Sequence, residues 1–165
     1  MVDTTGSAST GERRAERLEL RVPTSPTQLP AVRAMAGDLA MRMDFDLDAV
    51  EDLRLAVDEA CATLSAIVSG DRRLTVVFET TRQGLHIDAW VPTAEGTDVP
   101  RDGFGWAVLH ALVDKVEAGP ATQATVPAGD GGTSAVAVIS MDKYLPGHHP
   151  DKLLGDSGQN VSVVR

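Results

Sequence analysis

No stretch of the 165-residue sequence approaches the ~18 consecutive apolar residues that a membrane-crossing helix needs, so no membrane span is expected. The opening MVDTTGSASTGERRAERLEL lacks the apolar segment of a secretory signal, and none is expected. There is one cysteine, Cys61, which rules out an internal disulfide and suits a reducing, cytoplasmic setting. It falls on an apolar stripe and reads as a small core residue rather than a nucleophile. Basic residues are outnumbered, 15 Lys and Arg against 24 Asp and Glu, for a net charge of −9. Without a basic stripe to neutralise phosphates, the chain is not expected to bind nucleic acid directly. An acidic surface suits a basic protein partner, although ordinary solubility charge accounts for the same balance. There are no internal repeats, and the length is that of one domain.

What is present centres on residues 45–70, FDLDAVEDLRLAVDEACATLSAIVSG. Val50, Leu53, Val57, Ala60, Cys61, Leu64, Ile67 and Val68 recur every three or four positions, the spacing of a buried helical stripe. Asp48 and Glu51 read as a capping box and Gly70 as a left-handed stop, giving a helix of about six turns. At about 100° per residue, Glu59 points some 140° from the centre of that stripe. Its neighbours there are Leu55, Ala56, Ala62, Thr63 and Ala66, with Asp52 the only other charge near that line. Such a carboxylate lies on a sparsely charged surface, pairs with a basic group from elsewhere, or faces a pocket.

Along the chain, residues 1–15 are polar and aperiodic and are expected to form a mobile arm. Leu18, Leu20 and Val22 alternate as a strand, and Ser25-Pro26 reads as a helix start. Leu29, Val32, Ala36, Leu39, Ala40 and Met43 continue that helix. After the long helix, Leu74, Val76 and Phe78, then Leu85, Ile87, Ala89 and Val91, alternate about a turn at residues 81–84, a β-hairpin. A loop at 92–101 leads to Gly103-Phe104-Gly105 and a third helix carrying Val108, Leu109, Leu112, Val113 and Val116, expected to end near Gly119-Pro120. A short strand is expected around residues 123–126. A glycine turn at 128–132 then precedes a central strand at 133–141. The domain is expected to span 16–143, with a flexible tail at 144–165. His86, His110, Trp106 and the His148-His149 pair read as surface or packing residues, and no metal site is expected. The order of elements predicts an α+β two-layer sandwich, a mostly antiparallel sheet with three helices on one face.

DLRLAVDEACATL, the hairpin, GFGWAVLHALVDKV and GGTSAVAVISM, taken together, resemble the RsbW/SpoIIAB-type anti-sigma factors over about residues 17–142. The closest likeness is to the actinobacterial, UsfX-like anti-sigma-F branch. That family consists of small histidine-kinase-like ATPases of the GHKL (Bergerat) fold. Its long helix carries a Glu-x-x-x-Asn box, whose Glu is the general base and whose Asn ligates the magnesium ion of bound ATP. By resemblance Glu59 is that base, and Thr63 stands at the Asn position. Gly103, Phe104 and Gly105 match the later Gly-x-Gly box, and Gly132-Thr133 the terminal Gly-Thr box. The adenine-binding Asp-x-Gly-x-Gly box has no match, since the chain reads Asp88-Ala89-Trp90-Val91-Pro92-Thr93 there. The resemblance implies ATP and magnesium as cofactors and a homodimer pairing through a sheet edge or the first strand. It also implies a sigma factor and an anti-anti-sigma factor as partners. Two activities go with it: sequestration of a stress- or sporulation-type sigma factor, and serine/threonine kinase activity on the anti-anti-sigma protein. A scaffold that has lost nucleotide altogether is the third reading.

Overall fold

A computed structural model describes residues 15–127 and 129–149, and the expected N-terminal arm up to residue 14 and the tail from 150 lie outside them. The elements run β1 (Arg17–Pro23), α1 (Leu29–Arg42), α2 (Leu47–Ile67), β2 (Arg73–Thr80), β3 (Gly84–Pro92), α3 (Phe104–Leu112), β4 (Lys115–Thr122) and β5 (Ala135–Tyr144). The strands form one sheet in the order β1-β2-β3-β5-β4, antiparallel at every pairing. This is the α+β two-layer arrangement that the order of elements predicts.

Alternation along the strands gives the sheet two unlike faces. Leu74, Val76 and Phe78 of β2, Leu85, Ile87, Ala89 and Val91 of β3 and Ala137, Ile139 and Met141 of β5 are almost fully buried and join the helices in one core. The helical half of that core comes from Val32, Ala36, Leu39 and Ala40 of α1 and from Val50, Leu53, Ala56, Val57, Ala60, Cys61 and Leu64 of α2. Burial, with Asp58 nearby, pushes the Cys61 thiol up to about 12, as befits a packing residue. On the other face, Trp90, Val126 and Val136 make a small separate cluster. There the Trp90 indole N–H donates to the Pro127 carbonyl at 2.9 Å.

Several boundaries differ from the sequence pattern, each for a local reason. The α2 cap is Asp46, whose carboxylate accepts the Ala49 N–H at 2.8 Å, while Glu51 instead pairs with Arg54 one turn on. Helix α2 ends at Ile67 because Val68 turns extended, so Gly70, although at φ 69°, lies in the following loop. Residues 26–28 are a turn, and α1 starts at Leu29 with Pro30 in its first turn, where a missing N–H costs nothing. Ala56, read as a neighbour of Glu59, is fully buried.

The largest correction concerns the third helix. It stops at Leu112, and the residues expected to continue it form β4 along the free edge of β5. Val116 continues the helical stripe of Leu112 and Val113 but also fits a period of two with Ala118, and both face the core. Pro120 lacks an N–H and is tolerated because β4 is an edge strand. Residues 123–125, expected to begin a strand, form a turn.

Gly84 begins β3 opposite Tyr144, and a Cβ there would overlap the Lys143 carbonyl oxygen and lie 2.8 Å from Tyr144 Cα. The obstacle is backbone held in a ladder, so it yields only if the β3–β5 register opens. Gly84→Ala is expected to cost about 1–3 kcal/mol, the usual range for overpacking, read as a lowered denaturation midpoint with an unchanged slope.

Candidate functional site

Helix α3 opens at Gly103, an extended residue with φ −94° and ψ 171°, and neither a side-chain cap nor an acidic residue serves its first turn. The exposed N–H groups of such a turn attract negative charge. Glu59, midway along α2, presents its carboxylate to this turn. A Cβ on Gly105 would overlap Glu59 Oε1 and come within 2.9 Å of its Cδ, so a side chain there would displace the Glu59 carboxylate from this position. Glu59 is half-buried, and its carboxylate makes no hydrogen bond or ion pair among the described residues. It therefore has no basic partner there, and it faces the glycine-opened start of α3.

The other predicted site residues are dispersed around this contact. Thr63 lies one turn beyond Glu59 on α2, half-buried, and its hydroxyl makes no hydrogen bond among the described residues. Gly103 and Phe104 are exposed, Phe104 at 86%. Gly132 and Thr133 belong to the β4–β5 loop, where the Gly132 N–H donates to Asp130 Oδ1 at 2.7 Å and Thr133 is exposed. No hydrogen bond or ion pair among the described residues joins that loop to Glu59 or to residues 103–105. Asp88 is buried on the sheet face away from the helices. At the end of β3, Thr93 Oγ1 is buried without a partner among the described residues.

These groups fit the two parts of a magnesium nucleotide unequally. The uncapped start of α3, with glycine at its closest approach, suits the phosphate end of a nucleotide. The orphaned Thr93 hydroxyl offers a single neutral hydrogen-bonding group near the end of β3. Magnesium fits poorly, because it demands near-ideal octahedral oxygen geometry and Thr63 offers a short hydroxyl that nothing orients.

A family model described as a histidine kinase-like ATPase domain matches residues 22–126, from the end of β1 to the turn after β4. The chain belongs to the histidine kinase-like ATPase domain family. It is 33% identical over 106 residues to the anti-sigma-F factor RsbW of Mycobacterium tuberculosis, a match covering 64% of this chain and 63% of that protein. The chain thus spans less than two thirds of the length of that relative. It is also 24% identical over 155 residues to the serine-protein kinase RsbW of Bacillus velezensis, covering 81% of this chain and 89% of that protein. The corresponding protein of Bacillus subtilis is 23% identical over 158 residues, covering 83% and 91%.

This histidine kinase-like domain also carries a polar network that the sequence reading missed. His86, taken as a surface or core-edge residue, bridges two carboxylates, with Nδ1 2.7 Å from Asp142 and Nε2 2.9 Å from Asp88. The Ser140 hydroxyl donates to the other oxygen of Asp88. The period of two places His86 and Asp88 on one face; that β5 brings Ser140 and Asp142 beside them is a matter of register. With a carboxylate at each ring nitrogen, both nitrogens donate and the imidazole is cationic. The bonds to Asp142, then to Asp88, raise the His86 pKa from 6.5 to about 10. Burial opposes ionisation of Asp88, but the bonds from His86 and Ser140 prevail and lower its pKa.

The raised His86 pKa makes its stabilisation complete below pH 6.5 and removes it as pH climbs through about 10. The lowered Asp88 pKa gives a contribution present above 3.8 and lost on further acidification. Thermal melts of the native chain and of His86→Gln should therefore differ most between about pH 5 and 6.5 and converge toward pH 10. A gap that stays constant across that range contradicts the assignment.

Proposed function

We propose that this protein is an anti-sigma factor. It sequesters an alternative sigma factor of the stress or sporulation type and releases it when an anti-anti-sigma partner competes. The observation that carries this reading is the match to a relative named an anti-sigma-F factor, over a segment of this family's domain. The net charge of −9 supports it, because an acidic domain steers toward a basic protein surface. A homodimer is part of the proposal, and β1 supports it as an edge strand of the sheet among the described residues. No helix among the described residues is long and apolar enough to cross a membrane, in keeping with a cytoplasmic regulator.

ATP is the nucleotide that this domain family handles, and the start of α3 is where its phosphates would sit. Glu59 would face them as the carboxylate available to accept a hydroxyl proton, as the resemblance assigns. Phosphoryl transfer also calls for a metal to neutralise the phosphates, and Thr63 in place of asparagine weighs against that step. Sequestration is therefore the primary activity in this reading, and kinase activity is not.

The test is to offer purified stress- and sporulation-type sigma factors one at a time to the full chain, with and without Mg-ATP. A defined complex that blocks sigma-directed transcription is expected, to the same degree in both conditions. Failure of every sigma factor to bind overturns the reading. Phosphate transferred to an anti-anti-sigma protein on addition of Mg-ATP would restore the kinase alternative. A thermal shift with ATP alone would report nucleotide binding separately from transfer.

A further inference from the structure

The sheet face away from the helices also holds a cavity of about 210 Å³. Arg21 of β1, Thr75 of β2 and Trp90 of β3 stand side by side across it, and Arg73, two residues before Thr75, shares their face. Gln123 and Asp130 line it from the β4–β5 segment. The space is below the ~300–1,000 Å³ of clefts that take drug-sized ligands, and it suits one small metabolite.

The polar groups of this cavity are held in place yet incompletely used. Thr75 is 2% exposed, and its hydroxyl makes no hydrogen bond among the described residues. Asp130 Oδ1 accepts the Gly132 N–H at 2.7 Å, and the Gln123 amide, turned to donate, reaches Asp130 Oδ2 at 2.6 Å. That carboxylate is thus oriented, but it has no cationic partner among the described residues. Arg73 meets Asp71 only at 3.6 Å, with both side chains more than half exposed, and its guanidinium makes no hydrogen bond among the described residues. An exposed pair of that length contributes little, so the guanidinium turns to a ligand at small cost. The Trp90 ring is fixed by its bond to the Pro127 carbonyl.

We propose that this cavity binds a small zwitterion, a metabolite with a carboxylate and a cationic nitrogen on one carbon skeleton, as in an amino acid. Its carboxylate takes the N–H groups of Arg73, its cationic nitrogen meets Asp130, and its apolar part lies against Trp90. The Thr75 hydroxyl gains the partner that it lacks in the free protein, which relieves the cost of leaving a buried polar group unpaired. The lining charges are balanced, Arg21 and Arg73 against Asp71 and Asp130. Such a site selects a ligand that carries both signs: a simple anion meets two carboxylates and a simple amine two guanidinium groups. The inference goes beyond sigma-factor sequestration and does not rest on it, since Glu59 and the start of α3 belong to the helical side of the sheet.

The experiment screens the full chain by thermal shift against each of the twenty L-amino acids, β-alanine, γ-aminobutyrate and glycine betaine, singly at about 10 mM. At least one is expected to raise the melting temperature. Calorimetric titration then compares the strongest binder with its deaminated acid, its decarboxylated amine and inorganic phosphate. Each of these three is expected to bind at least about tenfold more weakly, the scale of one charge-assisted contact. Arg73→Gln, Asp130→Asn and Thr75→Val are each expected to weaken the strongest binder, the two charge changes by about tenfold, while the melting temperature without ligand holds. Arg73→Lys, which keeps the charge, is expected to recover part of what Arg73→Gln loses. The proposal is overturned if no zwitterion binds, or if the acid, the amine or phosphate binds as tightly as the zwitterion. It is also overturned if Arg73→Gln or Asp130→Asn binds as the native chain does, since the ligand then sits elsewhere. Capture or refusal of a sigma factor changes none of these readings.

Discussion

Burial of one side of α2 is the constraint on which the rest depends. Leu53, Ala56, Val57, Ala60, Cys61 and Leu64 are each at most 1% exposed, packed between the sheet and its companion helices. At about 25 cal/mol per Å² of apolar surface, a stripe of that size fixes the rotation of the helix against any plausible surface interaction. Once that rotation is fixed, Glu59 has nowhere to go but the opposite side. Helix α3 meets it there, with Glu59 Oε1 in the space that a Cβ on Gly105 would take.

The two sheet faces solve different problems. The inner face is an apolar floor for the helices. Among the described residues no helix covers the outer face, and it buries Asp88 between His86 of its own strand and Ser140 of the neighbouring β5. A carboxylate at 6% exposure is tolerable there because His86 supplies a charge and Ser140 a hydroxyl. In the helical layer the logic is inverted. Glu59 stays partly open to water and has no cationic partner among the described residues.

Much of the fold was legible because it repeats locally. The α2 stripe, the β2–β3 hairpin and the central strand β5 follow periods of 3.6 and 2 that one pass along the chain exposes. The failures fall where two periods agree over a short span. Val113 and Val116 prolong a helical pattern, yet Val116 and Ala118 fit a strand equally well, and the free edge of β5 decides between them. Capping was misplaced by two residues for a similar reason, since Asp46 and Asp48 are both plausible caps and only the path of the incoming chain chooses.

By itself the sequence determined which residues must be buried, and hence that Glu59 is turned away from the core and that Thr63 follows it one turn later. It also carried the family likeness, because those positions and the glycine pair at 103 and 105 are local spacings. Only the tertiary structure decided that Glu59 rests against Gly105, that β4 is a strand, and that His86 sits between Asp88 and Asp142. The Glu59–Gly105, β4–β5 and His86–Asp142 contacts join residues far apart in the chain. Their approach is set by strand register and helix packing, which no local period encodes.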